Sequence, residues 1–402
     1  MHALRRDGLM KTFAHVISQG SSFDEVNEDS FVSDDQMSLY VVCDGMGAHA
    51  AGEVASSLAC DIIRDCVAEE LTSPQDTLRE LLERSLQEAC RGVYEYGTKH
   101  PEARGLGTTA TAMLLRDGFC YIAHVGDSRA YLIRGGVMNQ LTRDHTLVAE
   151  FVEQGIFTAE QAAISPYAHV LTRTLGSQPG VIVDSLRLDV LPGDRFILCS
   201  DGVVPAVGSL EAAVASGDEF ALLGNAPQFL IEEALRNRAE DDMTVIEVLV
   251  EASVKDDSRD MQVTLTFGTL NEMMLFEGLE FSELAHLVEY ASIRSANSGE
   301  YVIEQGTRGG EMYVILQGAA RVERAGAVVA HFQPGDHFGE MSVISGRPRS
   351  ADVVTTADTT LLEIPEEAFF SLAEREPVIG MKLYRALASR LCQYLCDGGE
   401  AL

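Results

Sequence analysis

Lysine is almost missing from this sequence. Only Lys11, Lys99, Lys255 and Lys382 occur in 402 residues, and all basic residues together number 30 against 62 acidic ones, a formal net charge of -32. Nucleic acid and anionic membrane surfaces need a basic stripe facing their phosphates, so both are excluded as the main partner. Pairing motifs are missing from the cysteines: Cys43, Cys60, Cys66, Cys90, Cys120, Cys199, Cys392 and Cys396 form no CxxC pair and have no His at zinc spacing. Several stand inside apolar runs, such as Tyr40-Val41-Val42-Cys43, and read as reduced core thiols of a cytosolic protein. No apolar run approaches the ~20 residues of a membrane helix. Arg5, Arg6 and Lys11 interrupt the only short apolar stretch at the start, which argues against a signal peptide. The expectation is a cytoplasmic chain with no membrane contact, and no internal repeat or low-complexity tract is visible.

What is present supports folded domains. Hydrophobic residues make up 46% of the chain and charged ones 23%, enough to bury a core. At roughly 150 residues per domain the length fits two cores or more. The acidity is spread evenly, with 19 basic against 39 acidic residues over 1–255 and 11 against 23 over 256–402. It therefore marks a solvated surface and not a tail.

Up to residue 250, short β-type runs (38–43, 119–125, 245–250) alternate with helical spacing at 53–70 and 76–96. The polar stretch after it reads as a linker, 251–264. Helical turns follow over 270–290. Then Gly299, Gly306, Gly318, Gly326, Gly335 and Gly339 punctuate short alternating segments, the pattern of a small barrel or jelly roll. Residues 365–395 return to helix, with Ile379, Leu383, Leu387, Leu391 and Leu395 on one stripe, a packing or dimer face. The predicted domains are 1–250 and 265–402, in an α+β fold class.

Acidic residues recur where apolar runs end beside a turn residue: Asn27-Glu28-Asp29, Asp44-Gly45-Met46-Gly47, Gly126-Asp127-Ser128-Arg129, Ser200-Asp201-Gly202 and Asp241-Asp242-Met243-Thr244. A single Asp-Gly is usually only a turn. Carboxylates projected together from several strand ends repel one another and keep their charge only beside cations, for which hard Mg²⁺ or Mn²⁺ suits oxygen ligands.

With Gly107-Thr108-Thr109, the segment 142–145 and the segment 172–176, these motifs resemble, in order, the metal-dependent serine/threonine protein phosphatases (the PPM, or type 2C, family) over about residues 12–250. The resemblance implies a β-sandwich flanked by helices and hydrolysis of phosphoserine or phosphothreonine by water activated between two Mn²⁺ or Mg²⁺ ions, with no covalent phosphoenzyme. It implies that Asp44 bridges both metals, the Gly45 carbonyl binds one, Asp201 and Asp241 bind the other, Glu28 and Asp29 hold metal-bound waters, and Asp127 serves a third, weaker site. Asp44, Asp201 and Asp241 are then the catalytic residues. Three positions depart from the pattern. Asp24 stands where the family often has a phosphate-clamping Arg, with Arg5 and Arg6 as alternative donors. Asp242 stands where Asn is usual. Met46 replaces the His of eukaryotic members, leaving His49 as a nearby candidate. The stretch 144–169 matches a flap where substrate choice is expected.

In the second domain, Phe338-Gly339-Glu340-Met341-Ser342 and Arg347-Pro348-Arg349-Ser350-Ala351 combine a glycine turn, the start of a short helix and an arginine, a set of groups suited to an anion. The cassette resembles the cyclic nucleotide-binding domains of kinase regulatory subunits and catabolite activator proteins. That implies Arg349 on the cyclic phosphate, Glu340 on the ribose 2′-hydroxyl, and Gly339, Ser350 and Ala351 completing the cradle, with the last helix as a lid and Tyr394 available to stack on the base. Cyclic AMP is the preferred ligand and cyclic GMP the alternative. The combined expectation is a phosphatase acting on phosphoproteins and regulated by a cyclic nucleotide. The rival is a catalytically weak pseudo-phosphatase that only senses the nucleotide.

Overall fold

The computed structural model describes residues 10–21, 26–47, 51–72, 77–103, 105–217, 225–251, 257–375 and 377–396. The chain divides into two compact units, Met1–Lys255 and Asp256–Leu402.

The first unit stacks two antiparallel sheets. One runs β1(Thr12–Gln19), β11(Met243–Val250), β10(Arg195–Cys199), β7(Arg129–Arg134), β8(Val137–Gln140). The other runs β2(Asp29–Asp34), β3(Leu39–Met46), β5(Ala110–Arg116), β6(Phe119–Val125), β9(Asp184–Asp189), with the short β4(Gly107–Thr108) paired to the end of β3. Strands β3 and β5 are buried on both faces, which explains their nearly unbroken apolar sequences. Leu39, Val41 and Cys43 of β3 pack with the helices α1(Ala51–Thr72) and α2(Leu78–Lys99). Tyr40, on the opposite face, shares a 2.8 Å hydrogen bond with Thr12 of the other sheet. A second core joins β10 and β11 to the helices Val204–Ser216 and Ala226–Arg236. The result is the helix-flanked sandwich implied by the sequence resemblance.

The second unit is a jelly roll of two four-stranded sheets, β12(Ser292–Ala296), β19(Thr359–Pro365), β14(Glu311–Gln317), β17(His337–Phe338) and β13(Tyr301–Ile303), β18(Asp352–Thr355), β15(Ala320–Arg324), β16(Ala327–Phe332). All six glycines singled out in the sequence adopt positive φ there. Two features differ from the sequence reading. Residues from 257 onward, expected to be linker, form the helix Asp257–Glu272. Its buried residues Val263, Phe267 and Leu270 begin only after a polar first turn, which hid the helical period. Cys392 is exposed and so is not a core thiol, whereas Cys43, Cys60, Cys90, Cys120 and Cys199 are buried. On the helix Pro377–Cys396, Ile379, Leu383 and Leu387 are buried within the monomer. The side chains of Leu391, Tyr394 and Leu395 lie outside the description. Among the described residues no helix is long and apolar enough to cross a membrane.

Candidate active site and nucleotide cradle

The acidic motifs meet at one end of the sandwich. Antiparallel pairing sets Asp29 of β2 directly opposite Asp44 of β3. The main chain of Asp44 is fixed from several sides: its N–H donates to Thr109 Oγ1 (2.9 Å), and its carbonyl accepts from the Thr109 N–H and the Thr108 hydroxyl (both 2.8 Å). Gly45 follows because nothing larger fits; a Cβ there would stand 2.1 Å from the Gly52 carbonyl oxygen and 2.6 Å from that of Glu28. The start of α1 thus lies against the strand end, where the Gly52 N–H donates to the Glu28 carboxylate. From the other sheet, Asp201 follows β10 and Asp241 precedes β11.

Glu28, Asp44, Gly45, Asp127, Asp201 and Asp241 line a single cavity of about 780 Å³. Asp29 does not line it. This carboxylate is buried and accepts a 2.7 Å bond from the Ser200 hydroxyl, whose oxygen in turn accepts from the Thr244 N–H. Loss of solvent pushes the Asp44 carboxyl well above the usual range, and the charges of Asp29, Asp201, Asp241 and Asp127 push it further. Burial likewise carries Asp29 and Asp127 up to about 7, and Glu28 and Asp241 are raised for the same reason.

This donor set fits divalent cations. The carboxylates repel one another, and Asp201 Oδ1 is buried with no hydrogen-bond partner. Among the described residues no three His, Cys, Asp or Glu side chains converge closely enough to hold a bare ion. Hard ions that keep several water ligands suit such wider spacing.

The structure revises the reading of Asp242. Its two oxygens accept the backbone N–H groups of Ser21 (2.8 Å) and Glu28 (2.7 Å), so its main role is to close a loop; an Asn offers only one acceptor for these two donors. Its charge still adds to the upward pressure on Glu28. Asp24, His49, Arg5 and Arg6 lie outside the described residues. Sequence reading gave no role to His169 and Arg173, which also line the cavity. The exposed His169 ring stands 3.4 Å from Asp201 Oδ2, and Arg173 donates to Asp184 Oδ1 at 2.5 Å. Arg173 lay within a quoted motif, but nothing in the sequence indicated that it faces the acidic residues.

In the second unit, the helix Glu340–Ser345 starts at Gly339, whose φ of 91° and contact with the Arg349 guanidinium exclude a side chain. Arg349, Glu340 and Ala351 are buried, and Ser350 is exposed. The Arg349 guanidinium donates to the Gly339 carbonyl (3.0 Å), the Glu311 carbonyl (2.8 Å) and the Glu311 carboxylate (3.1 Å). Glu311, at the start of β14, escaped the sequence reading.

Residues 19–242 match the family described as Protein phosphatase 2C, and residues 293–376 match the Cyclic nucleotide-binding domain. The chain is 35% identical over 240 residues to the serine/threonine phosphatase stp of Listeria innocua, covering 58% of this chain and 93% of that protein. It is 32% identical over 220 residues to the serine/threonine protein phosphatase PstP of Mycobacterium tuberculosis, covering 55% of this chain and 41% of PstP. Among solved structures, the catalytic domain of PstP in complex with two manganese ions superposes with a TM-score of 0.52 at 30% identity, covering 60% of this chain and 99% of that one. Stp1 of Staphylococcus aureus gives a TM-score of 0.51 at 27% identity, covering 60% and 95%.

Proposed function

Because the chain belongs to the protein phosphatase 2C family and carries a cyclic nucleotide-binding domain at residues 293–376, we propose that it hydrolyses phosphoserine and phosphothreonine in proteins at a binuclear Mn²⁺ or Mg²⁺ centre under control of a cyclic nucleotide. The observation that carries this reading is the meeting of Glu28, Asp44, Asp127, Asp201 and Asp241 around one cavity. Asp44 would bridge the ions with the Gly45 carbonyl on one, Asp201 and Asp241 would hold the second, Glu28 would orient water, and Asp127 would serve a third, weaker site. Bound there, divalent ions lower the pKa of water and neutralise charge on the phosphoryl oxygens. The protein's part is rigidity. Thr108 and Thr109 fix Asp44, Gly52 and Asp242 hold Glu28, and Asp29 acts from behind through Ser200.

In the second domain Arg349 would hold the cyclic phosphate, Glu340 the ribose 2′-hydroxyl, and Gly339, Ser350 and Ala351 the rest of the cradle, with cyclic AMP preferred over cyclic GMP. The Glu311 carboxylate competes with the phosphate for the Arg349 guanidinium. For the nucleotide to regulate hydrolysis it must bind two states of the enzyme unequally. The test is Mn²⁺-dependent dephosphorylation of a phosphothreonine peptide by the full chain, with and without cyclic AMP or cyclic GMP. Turnover that responds to one nucleotide supports the reading. Nucleotide binding with no turnover under any condition leaves the pseudo-phosphatase instead.

A further inference from the structure

Of the described residues that line the catalytic cavity, Arg173 alone carries a permanent positive charge. Its main chain is stitched in on both sides. The Thr172 N–H donates to the His145 carbonyl (2.8 Å), and Leu175 exchanges two backbone hydrogen bonds with Thr108 (2.8 and 3.1 Å). Thr108 is the residue whose hydroxyl fixes the Asp44 carbonyl. The arginine is therefore tied to the same backbone ladder as the central carboxylate, which sets its position before any ligand arrives.

The side chain is anchored at one nitrogen. Nη1 donates to Asp184 Oδ1 (2.5 Å), while the other oxygen, Oδ2, accepts from His145 Nε2–H (3.0 Å). The tautomer follows from Nδ1 of that ring, which accepts the Gly126 N–H at 3.1 Å. Burial works against a charge on Asp184, but the His145 hydrogen bond and the Arg173 and Arg143 guanidinium groups outweigh it and hold the carboxyl well below the usual range. Asp184 and His145 do not line the cavity, so they grip the guanidinium from behind its wall. Nε and Nη2 have no hydrogen-bond partner among the described residues, although the side chain is only 28% exposed. These two N–H groups form the side-on edge of an arginine, the edge that matches two oxygens of a phosphate.

We propose that Arg173 holds the phosphoryl group of the substrate, with Nε and Nη2 donating to two of its oxygens. It thereby supplies the docking cation that position 24, an Asp, cannot provide. The inference rests on the phosphatase reading of the same cavity and adds a residue that touches the substrate.

The test is calorimetric titration of inorganic phosphate into the full chain saturated with Mg²⁺, for the wild type, Arg173→Lys and Arg173→Gln. Mn²⁺ titration and urea unfolding of each variant, both without phosphate, read the integrity of the site separately. The expected phosphate Kd is raised about fivefold or more in Arg173→Lys, which keeps the charge and loses the fork, and about 10- to 100-fold in Arg173→Gln. Mn²⁺ affinity and the unfolding midpoint stay close to wild type. Phosphate affinity equal to wild type in both variants overturns the inference, and so does a loss of phosphate affinity matched by an equal loss of Mn²⁺ affinity, since the arginine then only supports the carboxylates. If Arg173→Gln does not fold, Arg173→Lys, which keeps a cation beside Asp184, decides. Mn²⁺-dependent hydrolysis of p-nitrophenyl phosphate by the wild type is measured alongside. Its absence overturns the phosphatase reading, whereas hydrolysis with unaltered phosphate affinity in the variants overturns the role of Arg173 alone.

Discussion

The two candidate phosphate sites of this chain are built with opposite charge. The sandwich gathers at least five carboxylates around its cavity, and the arginine on its wall is already paired with Asp184. The jelly roll buries a single arginine among carbonyls and one carboxylate, Glu311. The first arrangement would import its positive charge as ions and suits chemistry, since ions can activate water as well as hold phosphate. The second supplies its own cation and suits recognition, since a guanidinium fork reads phosphate geometry without attacking it. An acidic sequence is therefore compatible with two phosphate ligands, provided each site is read by its neighbours and not by net charge.

The contrast can be broken at several points. The largest effect is expected from Asp44→Ala and Asp201→Ala, which should lower Mn²⁺-dependent hydrolysis of p-nitrophenyl phosphate by about 10³-fold or more, as befits loss of an ion worth several kcal/mol; near-normal turnover would remove the metal reading. Arg349→Ala should weaken cyclic nucleotide binding by roughly 10- to 100-fold in calorimetric titration, the loss of a charged hydrogen-bonding group. Asp242→Ala leaves the Ser21 and Glu28 N–H groups without their acceptor, and a destabilisation of about 1–2 kcal/mol is expected in urea unfolding, with Asp242→Asn recovering part of it. If Asn were as damaging as Ala, the loop-closing role would be wrong.

A pH effect belongs to His124. The ring is buried between Thr111 and the Arg143 carbonyl, and lack of solvent lowers its pKa to about 3, with His145 adding to the effect. The unfolded chain binds a proton near pH 6.5 and the folded one does not. This contribution to stability is thus complete above about 6.5 and is lost as pH falls towards 3, at up to ~1.4 kcal/mol per unit. An NMR titration in which the His124 ring stays neutral at pH 5 supports it; protonation near pH 6 removes it. The smallest change is expected from Glu311→Gln. Its carboxylate is partly exposed, so the pair with Arg349 is screened, and freeing the arginine should tighten nucleotide binding by no more than about fivefold.

Much of this was legible in the sequence because turns and strand ends leave local marks. Asp44, Asp127 and Asp201 each follow an apolar run and adjoin a glycine or serine, and the jelly-roll glycines announce their own backbone. What stayed hidden depends on distance through space. Asp242 looked like surplus charge because its N–H partners, Ser21 and Glu28, lie more than 200 residues earlier. Glu311 sits 38 residues from the arginine it engages and has the unremarkable sequence of a strand start. The helix Asp257–Glu272 was masked by its polar first turn, since an apolar period appears only where a core begins.

The direct pairing of Asp29 with Asp44 has a consequence for quality control of the chain. Alternate residues of a strand face opposite sides, so a one-residue slip between β2 and β3 would turn one partner's side chains to the wrong face. Strands from both sheets must also arrive in register for Asp44 and Asp127 to share a cavity with Asp201 and Asp241. Ion uptake would thus report whether the sandwich has assembled correctly, since a chain with slipped strands would lack the shared cavity.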